Sequence, residues 1–122
     1  MRYICLVHFD TALMRNASPR EQEDLNRRSL AYDDVLRAGG HYVISQAIQE
    51  GDAAILVRRR NGKLAVTDGP YMETKEQMAG FILVEAADME EAVTLAAGIP
   101  LAQLGTIEVR PVFLIPGRPE LA

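Results

Sequence analysis

The order of segments in this sequence predicts an α+β domain of ferredoxin-like type, in which two split β-α-β units enclose an inserted β-hairpin. Three observations carry that prediction. Two segments open with helix-start patterns, Ser18-Pro19-Arg20-Glu21 and Asp88-Met89-Glu90-Glu91. Apolar runs of strand length stand before and after each of them. Between the two units lies Asn61-Gly62, among the strongest short hairpin signals because both residues tolerate positive φ. The chain has 122 residues, which fits one domain. We place that domain at residues 1–114, with residues 115–122 as a proline- and glycine-containing C-terminal tail.

The elements follow in order. Residues 2–9 are almost all apolar and read as a strand covered on both faces. Residues 10–17 have mixed character and read as a connection. Ser18 can cap a helix, Pro19 suits its first position, and Glu21 can close a capping box. The helix should run to about Ala38, with Leu25, Ser29, Tyr32 and Leu36 as its inner stripe. Gly39-Gly40 ends it. Residues 41–49 form a second strand, and Gly51-Asp52 a turn. Residues 53–60 and 64–67 form the hairpin around Asn61-Gly62. Asp68-Gly69-Pro70 breaks the chain before a long apolar strand, 78–86. The second long helix starts at Asp88 and ends at Gly98, with Pro100 beyond it. Residues 105–114 form the last strand.

Bulk properties narrow the function classes. Net charge is −4, which argues against nucleic acid, whose binding needs a basic patch. The one cysteine, Cys5, allows no internal disulfide and sits in an apolar strand, so it reads as a small buried hydrophobe. No segment looks like a secretion signal or a bilayer span. The expectation is a cytoplasmic protein with no membrane or nucleic-acid partner. Helices can cover only one face of the sheet. Yet Tyr3, Cys5, Val7 and Phe9 are apolar, and so are Ile4 and Leu6, as are both parities of Phe81–Val84. The second apolar face needs a cover, and a second copy of the chain is the simplest one. We therefore expect a homodimer.

Several side chains carry chemistry. Asp68 reads either as a turn residue whose carboxylate accepts backbone N–H groups, or as a carboxylate at the mouth of a cleft. Glu73, Thr74, Lys75 and Glu76 read either as a solvated loop or as a polar cluster for an anionic or polar small molecule. His8 and Asp10 share a face if the first strand continues, and a His–carboxylate pair can move protons near neutral pH. His41 reads as surface or hinge. No third ligand accompanies the two histidines at metal-site spacing, so no metal site is expected. Arg58-Arg59-Arg60 reads as a solvated hairpin edge. Gly80 interrupts bulky strand residues, marking a bulge, a close backbone or ligand approach, or a subunit contact.

The stretches Thr67–Gln77, Gly80-Phe81 and Gly105–Val112 together resemble the signature of the DGPF group of YCII-related proteins, with Tyr71 where that group usually has Phe. The resemblance covers almost the whole chain. It implies a dimer whose two sheets pack into an α+β barrel, with a small-molecule cleft near the signature. Asp68, Tyr71, Glu73, Thr74 and Lys75 are then the expected ligand-binding residues, and Asp68, His8 and Glu73 the candidate acid–base groups. Glu108 and Arg110 match the recurrent Glu-Val-Arg-Pro pattern and alternate onto one face, where they can pair. A related branch uses a His–Asp dyad on and near the first helix. The corresponding positions here are Glu23 and Arg37, so that dyad does not carry over. Two functions follow as expectations: an acid–base enzyme without cofactor, or a non-catalytic sensor or partner of an extracytoplasmic-function sigma factor.

Overall fold

Alternation along the first strand sets the core. In the computed structural model, which describes residues 1–118, β1 (Arg2–Phe9) buries Tyr3, Cys5, Val7 and Phe9 on one face. Ile4, Leu6 and His8 point the other way, because successive strand side chains alternate. The expected tail lies partly beyond this range, and residues 119–122 are outside the described residues. The remaining elements are α1 (Thr11–Arg15), α2 (Pro19–Ala38), β2 (Tyr42–Ala47), β3 (Ile55–Arg60), β4 (Lys63–Asp68), β5 (Gln77–Glu85), α3 (Met89–Ala97) and β6 (Thr106–Pro111). Short 3₁₀ turns occupy Gly51–Ala53 and Pro100–Gln103.

Four of the strands form one sheet in the order β2-β5-β1-β6, every neighbour antiparallel. This is the ferredoxin-like order, with the β3–β4 hairpin as a separate two-stranded sheet. Asn61 and Gly62 turn that hairpin with φ of 52° and 75°, the positive values a two-residue loop demands.

Helix α2 begins as the sequence reading expects. Ser18 Oγ accepts the Glu21 N–H at 3.1 Å, and the Glu21 carboxylate accepts the Ser18 N–H at 3.1 Å. The Ser18 N–H, and after it the Ser18 hydroxyl, hold the Glu21 carboxyl below its usual range. At the far end, His41 N–H donates to the Leu36 carbonyl and Gly40 N–H to that of Arg37. Gly40 supplies the positive φ that this closure requires. Leu25 and Leu36 are buried on the inner stripe. Tyr32 donates its hydroxyl to the Leu95 carbonyl at 2.5 Å, fastening α2 to α3. Ala92 and Ala96 are buried and small, so α3 lies close on the sheet.

Several boundaries depart from the sequence reading, and the strand expected from residue 53 begins at Ile55, after the 3₁₀ turn that holds Ala53. Residues 10–17 contain α1, because Asp10 Oδ1 accepts the Ala12 N–H at 3.0 Å and starts a helix too short to show apolar periodicity. The strand expected at 41–49 ends at Ala47, although Ile48 N–H still reaches the Ala79 carbonyl. The strand expected at 105–114 ends at Pro111, opposite Tyr3. One further bond, Val112 N–H to the Arg2 carbonyl, uses up what β1 offers.

Helices α2 and α3 share the Tyr3, Cys5 and Val7 face with Leu36, Ala92 and Ala96. The opposite face carries Ile4, Leu6, Phe81 and Leu83, all half-buried, and Ile44 at 45 % exposure. The hairpin likewise leaves Ile55, Val57, Leu64 and Val66 exposed on one of its faces.

Candidate functional site

The uncovered face of the sheet carries the densest polar constellation. Across the β1–β6 ladder, Leu6 faces Glu108, His8 faces Thr106 and Ile4 faces Arg110. The Glu108 carboxylate stands between two partners. His8 Nε2 lies 3.1 Å from its Oε1, and Arg110 Nε donates to its Oε2 at 2.7 Å. The Arg110 guanidinium, and after it His8, hold the Glu108 carboxyl below its usual range against a smaller opposing effect of burial. An ionised carboxylate only accepts hydrogen bonds, so Nε2 carries the hydrogen, and in the neutral ring Nδ1 then keeps its lone pair.

Local irregularity aims these groups. Val7 pairs with Gly80 but His8 with Met78, so Ala79 is the extra residue of a bulge in β5. Bulges bend a strand and redirect neighbouring side chains. Gly80 beside it lies so near β2 that a Cβ would sit 2.6 Å from the Gln46 carbonyl oxygen. A bulge and a close backbone approach thus both explain this glycine.

The signature loop closes the site from the side. Gly69 N–H donates to the Ala54 carbonyl at 2.8 Å, and the Gly69–Pro70 peptide is cis. Gln77 gathers the loop: its amide donates to the carbonyls of Met72 at 3.0 Å and Thr74 at 2.7 Å. Thr106 on β6 donates to Glu76 Oε1 at 2.9 Å. Between loop, hairpin base and sheet opens a groove of about 960 Å³, lined among others by Leu6, His8, Tyr71, Thr74, Glu76, Met78, Glu108 and Arg110. Its mouth is on the face that no helix covers.

The residues singled out in the sequence are placed as follows. His8, Tyr71 and Thr74 line this groove. Glu73 and Thr74 line an adjoining hollow of about 480 Å³ with Arg15 and Glu50. Lys75 is exposed in the loop. Asp68 ends β4 opposite Ile55 and is exposed, and neither hydrogen bond nor ion pair engages its carboxylate among the described residues. The expected pairing of His8 with Asp10 does not occur. Asp10 is spent as the cap of α1, and Glu108 takes its place across the sheet. Glu76, a member of the expected polar cluster, lines the groove too; the sequence reading does not single out Gln77 or Glu108 as site residues, although the alternation of Glu108 with Arg110 is legible.

The other flagged side chains are structural. Cys5 is 1 % exposed, and burial pushes its thiol up to about 11, the setting of an inert cysteine. His41 is half-buried, with Nδ1 2.8 Å from the Glu85 carbonyl. Arg37, at one of the two dyad-equivalent positions, lies over the Tyr42 ring at 4.1 Å. Glu23, at the other, is exposed. Among the described residues no three of His, Cys, Asp and Glu gather as a metal-holding group. No helix among them is long and apolar enough to cross a membrane.

Comparison with solved structures finds the same fold in 5-chloro-2-hydroxyhydroquinone dehydrochlorinase from Burkholderia phenoliruptrix AC1100, in complex with 2,5-dihydroxybenzoquinone. The TM-score is 0.53 at 16 % identity, over 93 % of this chain and 94 % of that one, so the likeness is of fold. An uncharacterized protein of Rhizobium meliloti (strain 1021) is 33 % identical over 117 residues, 93 % of this chain and 94 % of its own length. The model of the YCII-related domain matches residues 1–116. With nearly its whole length accounted for by that match, and with the strand order and signature loop in place, the chain belongs to the YCII-related family.

Proposed function

We propose that the groove on the uncovered sheet face is an acid–base site for a small polar molecule, and that it works without cofactor. The observation that carries this reading is the His8–Glu108–Arg110 row in the groove wall. In this reading Glu108 orients the imidazole, Nδ1 of His8 accepts a proton from the substrate, and Arg110 stabilises the developing anion. In the same reading Tyr71 and Thr74 contact the ligand from the loop, and Glu73 lines the adjoining hollow. Proton removal followed by elimination or tautomerisation needs nothing beyond such groups. The dehydrochlorinase of the same fold, held with a dihydroxyquinone, supports an enzyme over a purely structural role.

A homodimer completes the reading. The half-buried Ile4, Leu6, Phe81 and Leu83 favour a second sheet packed on this face. That copy would roof the groove and exclude water, which strengthens every charge interaction inside it. The test uses 2,5-dihydroxybenzoquinone as probe, followed by its absorbance on titration into the wild-type chain. Saturable binding is expected, weakened about tenfold or more in Arg110→Gln, since a charged hydrogen bond is lost. His8→Gln should weaken binding as well, because the ring Nδ1 that meets the ligand is lost. Equal affinity of wild type and both variants would refute the assignment.

A further inference from the structure

The sheet has a second groove on its other side, and its chemistry is different. It opens between α2 and the β2 edge, with a volume of about 930 Å³, within the range of small-molecule sites. Its floor is apolar, formed by Val7, Phe9, Leu25 and Leu101 among others. Three carboxylates line it, those of Asp33, Glu50 and Asp52, and among the described residues no lysine, arginine or histidine does.

The three acids are not equivalent. Arg15 Nη1 donates to both oxygens of Glu50 at 2.8 Å, so that charge is already matched. Asp33 pairs with no cation among the described residues. It projects from the α2 face that also carries Asn26 and Ser29, three and four residues apart, and meets Ser45 of β2. Ser45 donates its hydroxyl to Asp33 Oδ2 at 3.0 Å. Its single hydrogen is thereby committed, so Tyr42, whose hydroxyl lies 2.8 Å from Ser45 Oγ, must be the donor there. The row Tyr42–Ser45–Asp33 runs one way and ends on a carboxylate whose Oδ1 takes no hydrogen bond among the described residues.

A half-buried carboxylate held by one hydroxyl beside an apolar floor is complementary to a cation with an apolar body. The geometry points to a second ligand site in this groove, selective for an organic ammonium ion whose nitrogen meets Asp33 and whose hydrocarbon part lies on Phe9 and Leu25. The His8–Glu108–Arg110 row lies across the sheet from Asp33, and the two grooves meet only at a shared rim of Ile48, Gln49, Glu50 and Ala53, so the proposal does not depend on that reading. Consecutive β1 residues serve the two: Val7 lines one and His8 the other.

The experiment is a titration of the whole protein with 2-phenylethylammonium, and with 2-phenylethanol as the neutral control, read by amide chemical shifts and calorimetry. The ammonium should bind saturably, shift the amides of Asn26, Ser29, Asp33 and Ser45, and exceed the alcohol in affinity by about tenfold or more. Asp33→Asn keeps an oxygen for the Ser45 hydroxyl but loses the charge, and should erase the preference for the ammonium. If that variant fails to fold, the wild-type pair of ligands decides alone. Equal binding of ammonium and alcohol, shifts confined to other residues, or no saturation at millimolar ligand would each overturn the site.

Discussion

At the scale of single residues, Glu108 concentrates the consequences. Its carboxyl is held below the usual range by Arg110 and His8. The folded state therefore binds the proton less readily than the unfolded state, whose glutamate titrates near about 4.3. Its contribution to stability is full above that value and is lost as pH falls through the depressed folded value. Acid unfolding followed by circular dichroism should accordingly show a shallower acid limb in Glu108→Gln than in the wild type. An unchanged limb would mean that the row carries no linkage. The pairing itself was hidden in the sequence for a concrete reason. Glu108 lies 100 positions from His8, while Asp10 stands two residues away with the right chemistry and is consumed by a cap. The burial of Cys5, by contrast, needed only the apolar run of its own strand to be read.

At the scale of elements, what was legible was whatever local chemistry decides. Helix α2 was legible at both ends because Ser18, Pro19, Glu21 and Gly40 each act within a few residues of themselves. Helix α1 was not, since five residues stabilised by one Asp10 cap carry no periodic signature. Gly80 stood out as an anomaly in a strand of large residues, but its cause belongs to the β2–β5 register, which no local pattern encodes. An alanine there would bring its Cβ to 2.6 Å from the Gln46 backbone, a contact that only movement of β2 can relieve. We expect Gly80→Ala to lower stability by about 1–3 kcal/mol, typical of overpacking, measured by urea denaturation. A cost under about 0.5 kcal/mol would show that β2 yields freely.

At the scale of the whole molecule, the ferredoxin-like order followed from the succession of apolar runs and helix starts, and the apolar second face from strands that are apolar at both parities. The groove did not, because it is assembled from β1, β6, the hairpin base and the signature loop, whose proximity is set by topology. If a twin sheet covers the Ile4–Leu83 face, a charge placed in its middle should separate the copies. Leu83→Glu should behave as a folded monomer in light scattering where the wild type is a dimer, since a buried unpaired carboxylate is strongly unfavourable. A variant as dimeric as the wild type would move the interface elsewhere. The alternation of β1 has one last consequence, for protein engineering. Deleting a single residue between Tyr3 and Val7 would swap inside for outside along the rest of the strand, driving the imidazole into hydrocarbon and a phenyl ring into solvent. A reporter peptide is far safer spliced between Asn61 and Gly62, where the two-stranded ribbon can lengthen without disturbing the four-stranded sheet.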